Sequence, residues 1–331
     1  MKKVLKILLI SVICALTALS MIACTPENPG APQAGFKYSK TKDGVYVISG
    51  YVGEETEVTV DIADATKIRI KKDAFAGNNT ITDLTVSNKV VEIDEGAFAK
   101  MGALETLTVP FIGQYFNSDA TYSQTGSANQ SQKAINKART VAHFFGTEEY
   151  DDVSVAVNSK YFANASDVST TCYVPLTFTT IKVVANEDYA IPMDAFNGFD
   201  TPNEFKVILS GNITAIGERA FKDSGIKSIE IPASVQTIYQ NAFENSKLNT
   251  VTVLATNAIT VKDFAFKGCT KMVKFGATED YKIDLAKVNN QLIGEYAFDF
   301  GIENKTFELL NASSFDNNQL SFMFGETKFV K

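Results

Sequence analysis

Ile229-Glu230-Ile231-Pro232-Ala233-Ser234-Val235-Gln236-Thr237-Ile238, running on to Asn241-Ala242-Phe243, is one pass of a pattern that recurs along this chain. Its closing phrase, Ile-x-x-x-Ala-Phe or a near variant, ends at Phe75, Phe98, Phe196, Phe221, Phe243, Phe266 and Phe298, at intervals of 23, 98, 25, 22, 23 and 32 residues. A period near 23 on both sides of a long interruption is the mark of a solenoid, whose units bury their apolar faces only by stacking on one another. Apolar residues make up 45% and charged residues 21% of the 331, values of a folded chain rather than a disordered one.

Between the phenylalanines, apolar residues recur as L-x-x-L-x-L: Ile81, Leu84 and Val86; Leu104, Leu107 and Val109; Ile226, Ile229 and Ile231; Leu248, Val251 and Val253. The last three positions of each set alternate with period two, which predicts one strand per coil and parallel stacking of those strands. The fold predicted is a solenoid with a parallel β-sheet on one face and a short helical or irregular opposite wall, where each Ala-Phe fills the space between layers. Outward positions of the strands then form an extended face. They are Asp83, Thr85, Thr106, Thr108, Thr180, Lys182, Ser228, Glu230, Thr250, Thr252, Lys274, Thr306 and Glu308, rich in threonine and without aromatic rings. Threonine also suits any exposed strand through its β-branched shape, so composition alone does not make this face a binding site.

The first residues read as a leader. Lys2, Lys3 and Lys6 precede an apolar run from Ile7 to Leu19, with small residues Ser20 and Ala23 after it; that run fits a secretory core and is short for a bilayer span. Met21-Ile22-Ala23-Cys24 resembles a bacterial lipobox, with Met21 in place of the more usual leucine. The resemblance implies removal of 1–23 as a signal peptide and acylation of Cys24. Residues 24–35, with Pro26, Pro29 and Pro32, cannot continue a helix and read as a tether to the membrane. Thr25 after the cysteine favours, by the same resemblance, an outer membrane or cell-surface location where the cell has two membranes. The membrane is touched through the lipid anchor only.

Ile229 to Phe243 and its counterpart Leu104 to Pro110 resemble the BspA-like leucine-rich repeats of bacterial surface proteins. The interruption does too, in His143-Phe144-Phe145-Gly146, then Tyr173-Val174-Pro175 and Phe178-Thr179-Thr180-Ile181-Lys182-Val183. The similarity runs from about Gly44 to Leu310. It implies a leucine-rich-repeat solenoid and a cell-surface role in protein binding or adhesion, with host extracellular-matrix proteins, cell-surface proteins or other cells as partners. A glycan- or nutrient-capturing surface lipoprotein is the alternative, and would be marked by stacked aromatics over a groove. A purely structural surface-layer or secretion-system role is a third reading.

A solenoid must close its ends, because bare terminal coils expose apolar surface and strand edges. Residues 36–70, with Val45, Val47, Val58 and Val60, are expected to form a β-rich N-terminal cap, 71–310 the repeats, and 311–331 a C-terminal cap carrying Phe322, Phe324 and Phe329. A divergent excursion is expected at about 111–172, including a helix over Asn129 to Phe144 with Ile135, Ala138 and Val141 at helical spacing.

Charge and motif content argue against several function classes. Three of the 31 basic residues lie in the leader, and 38 acidic residues oppose them; nucleic-acid binding needs clustered basic charge instead. The single histidine, His143, excludes multi-histidine metal sites, and beside Phe144 and Phe145 it reads as a packing residue. There is no phosphate loop and no G-x-S-x-G elbow. Glu148 with Glu149 and Asp151 with Asp152 are neighbours in loop-like sequence, not carboxyls fixed across a groove. No cofactor, no metal and no catalysis are expected; an enzyme would need a cluster of perturbed carboxylates. Cys269 occupies the slot of Met101, Ser224 and Ser246, three residues after a ladder phenylalanine, and reads as a small core filler. Cys172 lies several coils away, too far to pair with it.

Overall fold

The computed structural model describes residues 35–116, 136–150, 153–163 and 166–331. The leader, Cys24, the tether and the start of the expected helix lie outside the described residues. What is described is a β-solenoid of about 11 turns with few helices.

Strands gather on two sides of each coil. The front side begins with β3 (Glu57–Val60), β5 (Asp83–Val86) and β7 (Thr106–Val109), followed by the first halves of β10 (Thr180–Ile191) and β11 (Lys206–Ile216). It continues through β12 (Ser228–Ile231), β14 (Thr250–Val253), β16 (Lys274–Phe275), β17 (Lys282–Asp284), β19 (Thr306–Leu310) and β20 (Lys328–Val330). All these named pairings are parallel, as the L-x-L register demands.

Beyond the single sheet face expected, a second parallel set stands just before the Ala-Phe turns. It contains β4 (Ile68–Ile70) and β6 (Val90–Ile93), which extend β2 (Tyr46–Val52), and further along β13 (Thr237–Ile238), β15 (Ile259–Val261) and β18 (Val288–Ile293). β10 and β11 serve both sides: they pair at 180–185 with 206–211, lose register, and pair again at 189–191 with 213–216. An antiparallel partner, β1 (Gly35–Lys40), closes the N-terminal edge of β2.

The third side is the Ala-Phe turn, and its geometry explains the motif. A hydrogen bond joins the Ala amide to the carbonyl three residues earlier, as in Ala74 to Lys71, Ala220 to Gly217 and Ala242 to Tyr239. The residue before Ala has positive φ in every repeat: Asp73, Gly96, Asp194, Arg219, Asn241, Phe264 and Tyr296. That is the third position of a type II turn, where the left-handed conformation is obligatory. The Phe amide then bonds the Ala carbonyl of the next coil, Phe221 to Ala242 at 2.7 Å and Phe243 to Ala265 at 2.7 Å, so even this wall is knitted coil to coil.

Inside, the phenylalanines form a ladder. Phe196, Phe221, Phe243 and Phe266 stack at centroid spacings of 4.8, 5.0 and 5.0 Å, with planes within 7° of parallel. Phe298 and Phe324 extend it at 5.7 and 5.5 Å. Phe324 belongs to α1 (Asn317–Phe324), whose start is fixed by a capping box between Asp316 and Gln319. On the N-terminal side Phe75, Phe98 and Phe144 continue the column with tilted rings.

The helix expected over 129–144 does not reach Phe144. Thr140 is extended (φ −92°, ψ 157°), and Val141–Phe144 is a 3-10 turn. The carbonyls of His143 and Phe144 accept from Gly96 and Phe98 of the preceding coil, and those inter-coil bonds draw the segment into the stack. A hairpin of β8 (Ser154–Ala163) and β9 (Ser166–Pro175) follows, outside both sheets. It docks on the third wall through a buried network. Arg219 pairs with Asp194 (3.1 Å) and with Asp167 of β9, and lies over the Phe162 ring at 4.8 Å; Asp194 also accepts from the Phe162 amide and from Asn197. Burial pushes the Asp194 carboxyl up, opposed by Arg219 and the donated hydrogen bonds.

The boundaries expected at 36–70 and 71–310 are not marked by a change of geometry, since β3 already pairs in register with β5 and β4 with β6. At the far end, 311–331 supplies α1 and β20, the latter paired parallel with β19.

Candidate binding surface

The front sheet places the predicted outward residues in rows across coils. Asp83 faces Thr106 and Thr106 faces Thr180, while Thr85 faces Thr108 and Thr108 faces Lys182. Ser228 pairs with Thr250 and Glu230 with Thr252; Thr250 leads on to Lys274. All these outward residues are partly or fully exposed, and the inward Leu84, Val86, Leu107, Val109, Ile181, Val183, Ile229, Ile231, Val251 and Val253 are buried. Thr306 is exposed but lies beyond β17, paired with Lys328, whereas Glu308 pairs with Lys282.

Further residues belonging to these rows were not read from the sequence: Glu57 and Thr59 beside Asp83 and Thr85, Lys206 and Ile208 beside Thr180 and Lys182, Lys282 and Asp284 in β17, and Lys328 and Val330 beside Thr306 and Glu308. The alternation of Val58 with Val60, and of Phe205, Val207 and Leu209, was the signal for the first four. The face is mainly polar, with Ile208 (45% exposed) and, at the last coil, Val330 (53% exposed) as its exposed apolar residues. Its C-terminal end carries an ion-pair cluster: Lys282 bridges Glu279 (3.0 Å) and Glu308 (3.2 Å), and Lys274 meets Asp280 at 3.5 Å. The hydrogen bonds that Lys282 donates to Glu279 and Glu308 hold its ammonium above its ordinary value.

The residues considered for chemistry are accounted for structurally. His143 is buried and donates from Nε2 to the Ile93 carbonyl at 3.0 Å; burial holds its imidazole below the usual range. Glu148 is exposed and is held low by hydrogen bonding and charge from Lys100 and Lys72. Asp151 and Asp152 lie outside the described residues. Cys269 is buried, with Sγ against the Phe243 carbonyl (3.0 Å) and Ser246 (3.4 Å), and burial raises its thiol to about 12. Cys172 is buried and unpaired, as is Cys269. Among the described residues no group of three or more His, Cys, Asp or Glu side chains could hold a metal ion, and no helix is long and apolar enough to cross a membrane.

Stacked parallel coils, a buried phenylalanine per turn and an outward face built from two runs of parallel strands, β3 to β11 and β12 to β20, define a leucine-rich-repeat solenoid. The BspA type Leucine rich repeat region matches residues 54–134 and 189–319 in six copies, more than half of the chain. The chain belongs to that family. Two solved structures are similar along most of their length. One is a leucine rich cell surface protein from Faecalibacterium prausnitzii A2-165, 14% identical, covering 92% of this chain and 95% of that one, with a TM-score of 0.31. The other is a leucine-rich repeat protein from Bacteroides ovatus ATCC 8483, 16% identical, covering 90% and 98%, with a TM-score of 0.22. No curated protein matches the chain.

Proposed function

We propose that this chain is a bacterial cell-surface protein, anchored by acylation of Cys24 and carrying no catalytic activity, that binds a protein partner through its front sheet. The reading rests on the front strands themselves, whose outward residues line up over successive coils within two parallel runs, β3 to β11 and β12 to β20. Solenoids use such extended faces to engage large partners. Hydroxyls of Thr85, Thr106, Thr108, Thr180, Thr250 and Thr252 offer donors and acceptors at regular intervals, suited to a polar, hydrated interface. None of the outward positions named above carries an aromatic ring, so this face does not favour sugar stacking.

The test is saturable binding of the full chain to an array of extracellular-matrix and cell-surface proteins. A variant with Thr106→Lys, Glu230→Lys and Thr250→Lys is expected to lose at least about tenfold in affinity through added like charge and bulk at the face. Unchanged affinity in that variant, with the fold intact by circular dichroism, refutes the assignment.

A further inference from the structure

The turn position before each Ala-Phe pair requires a left-handed residue, and five coils fill it with Asp73, Gly96, Asp194, Arg219 and Asn241. Glycine, aspartate and asparagine tolerate that conformation best. Arg219 departs from that set while serving the hairpin, and the next two repeats depart further with Phe264 (φ 57°) and Tyr296 (φ 49°), bulky rings for which positive φ is strained. Nor do these rings repay the strain by filling the core. Tyr296 is 37% exposed and Phe264 is half-buried; they meet each other at 6.0 Å between centroids. Phe322, 45% exposed on α1, follows on the same wall, its carbonyl accepting from the Tyr296 amide at 2.8 Å.

A cation sits on this pair. Lys267 Nζ lies 5.0 Å from the Phe264 centroid and 5.5 Å from that of Tyr296. Among the described residues no carboxylate is within ion-pair distance of it. Charged side chains are interspersed with the rings, Lys262 and Asp263 before Phe264 and Glu295 before Tyr296. That alternation of rings and charges differs from the front strands, whose outward rows named above carry no ring. It suits a sugar well: a pyranose presents a C–H face to a ring and hydroxyls to its polar neighbours.

We propose that Phe264, Tyr296 and Lys267 form a site for an acidic polysaccharide, with a hexuronate ring laid on the aromatic pair and its carboxylate on Lys267 Nζ. The unpaired ammonium is what selects an acidic sugar over a neutral one. The site lies on the Ala-Phe wall, separate from the front sheet, so its success or failure is independent of the protein-binding assignment.

Calorimetric titration of the full chain at low ionic strength with oligomers of galacturonate, glucuronate and mannuronate tests it, using the methyl-esterified oligomers as uncharged controls. Saturable binding of at least one acidic oligomer is expected, at least tenfold weaker for its methyl ester and for Lys267→Met. Phe264→Asn and Tyr296→Asn should each weaken binding at least tenfold without lowering the melting temperature, because asparagine fits the left-handed position. The Thr106, Glu230 and Thr250 lysine variant should bind the oligomer as the parent does. Absence of binding to all three oligomers, equal affinity for acid and ester, or equal competition by polyglutamate would overturn the site. So would asparagine variants that melt several degrees lower and still bind, since the rings would then be packing elements.

Discussion

Phe243→Ala removes the ring at the centre of the best-stacked run, fully buried and 5.0 Å from parallel neighbours on both sides. Truncating a buried phenylalanine costs roughly 3–5 kcal/mol through lost transfer energy and the cavity left behind. The upper half of that range is expected, for two reasons. Two stacked contacts disappear together, each worth about 0.5–1.5 kcal/mol beyond area burial. The cavity also cannot collapse readily, because the flanking coils are held apart by inter-coil hydrogen bonds from Phe221 to Ala242 and from Phe243 to Ala265. We therefore expect a loss of about 4–5 kcal/mol, a large part of the roughly 5–15 kcal/mol that stabilises a typical domain. Phe243→Leu, which keeps most of the volume and forfeits the stacking, should lose about 1–3 kcal/mol. Equilibrium urea unfolding followed by circular dichroism measures both. Hydrogen exchange should place the weakening in the coils flanking 243, because stability in a solenoid is summed over neighbours. A loss below about 2 kcal/mol for Phe243→Ala would refute the claim that the ladder carries the coil stack.

Two further perturbations probe the buried polar groups. Arg219→Met should destabilise by about 3–5 kcal/mol by leaving Asp194, only 1% exposed, without its counter-charge; Asp194→Asn combined with Arg219→Met should recover most of that in urea unfolding, and failure to recover would deny the pair its role in docking the hairpin. His143 is held neutral by burial, so its folded pKa lies below the unfolded value of about 6.5. The stability it contributes is present above that pH and lost as pH falls through the depressed folded value. Between pH 7 and 5 the parent should therefore lose more stability than His143→Gln, a difference that thermal unfolding across that range reads directly. Equal slopes would mean that His143 does not titrate with unfolding.

The coil, its period and its front sheet were legible because each rests on a repeated apolar spacing. Leu84, Leu107, Ile229 and Val251 announce the strand by alternation, and Phe75 through Phe298 announce the ladder by period. The second strand of each coil was not legible, because β4, β13 and β15 are two or three residues long, too short for a period to show. Hairpin β8–β9 hid for another reason: buried Ser159 interrupts the apolar alternation of Val155, Val157, Tyr161 and Ala163. Helical spacing misled over Ala138 to Phe144: helix is present at Asn136 and Lys137 but goes no further, since the carbonyls of the following turn are claimed by the neighbouring coil. Of the front face, outward residues of β3, β11, β17 and β20 were missed where the Ala-Phe period broke or a cap was assumed.

Regularity also explains why the aromatic pair on the third wall could not be read as a site. In a repeat, an aromatic residue next to Ala-Phe looks like one more core ring, and the sequence Asp263-Phe264-Ala265-Phe266 reads as two fillers of one ladder. Only the turn geometry separates them: Phe266 points inward and is fully buried, while Phe264 occupies the left-handed position and turns away. The inter-coil hydrogen bonds fix the backbone at that position regardless of side chain, as the run Asp, Gly, Asp, Arg, Asn shows. Outside the buried Asp194 and Arg219, which hold the hairpin, it is therefore a place in the coil where a side chain can change without disturbing the stack, and where selection for a ligand could act at the expense of local strain. The same logic separates the two faces: the front strands can vary in their outward residues because their inward ones hold the register, and the third wall can vary at the left-handed residue of those turns that carry no hairpin contact.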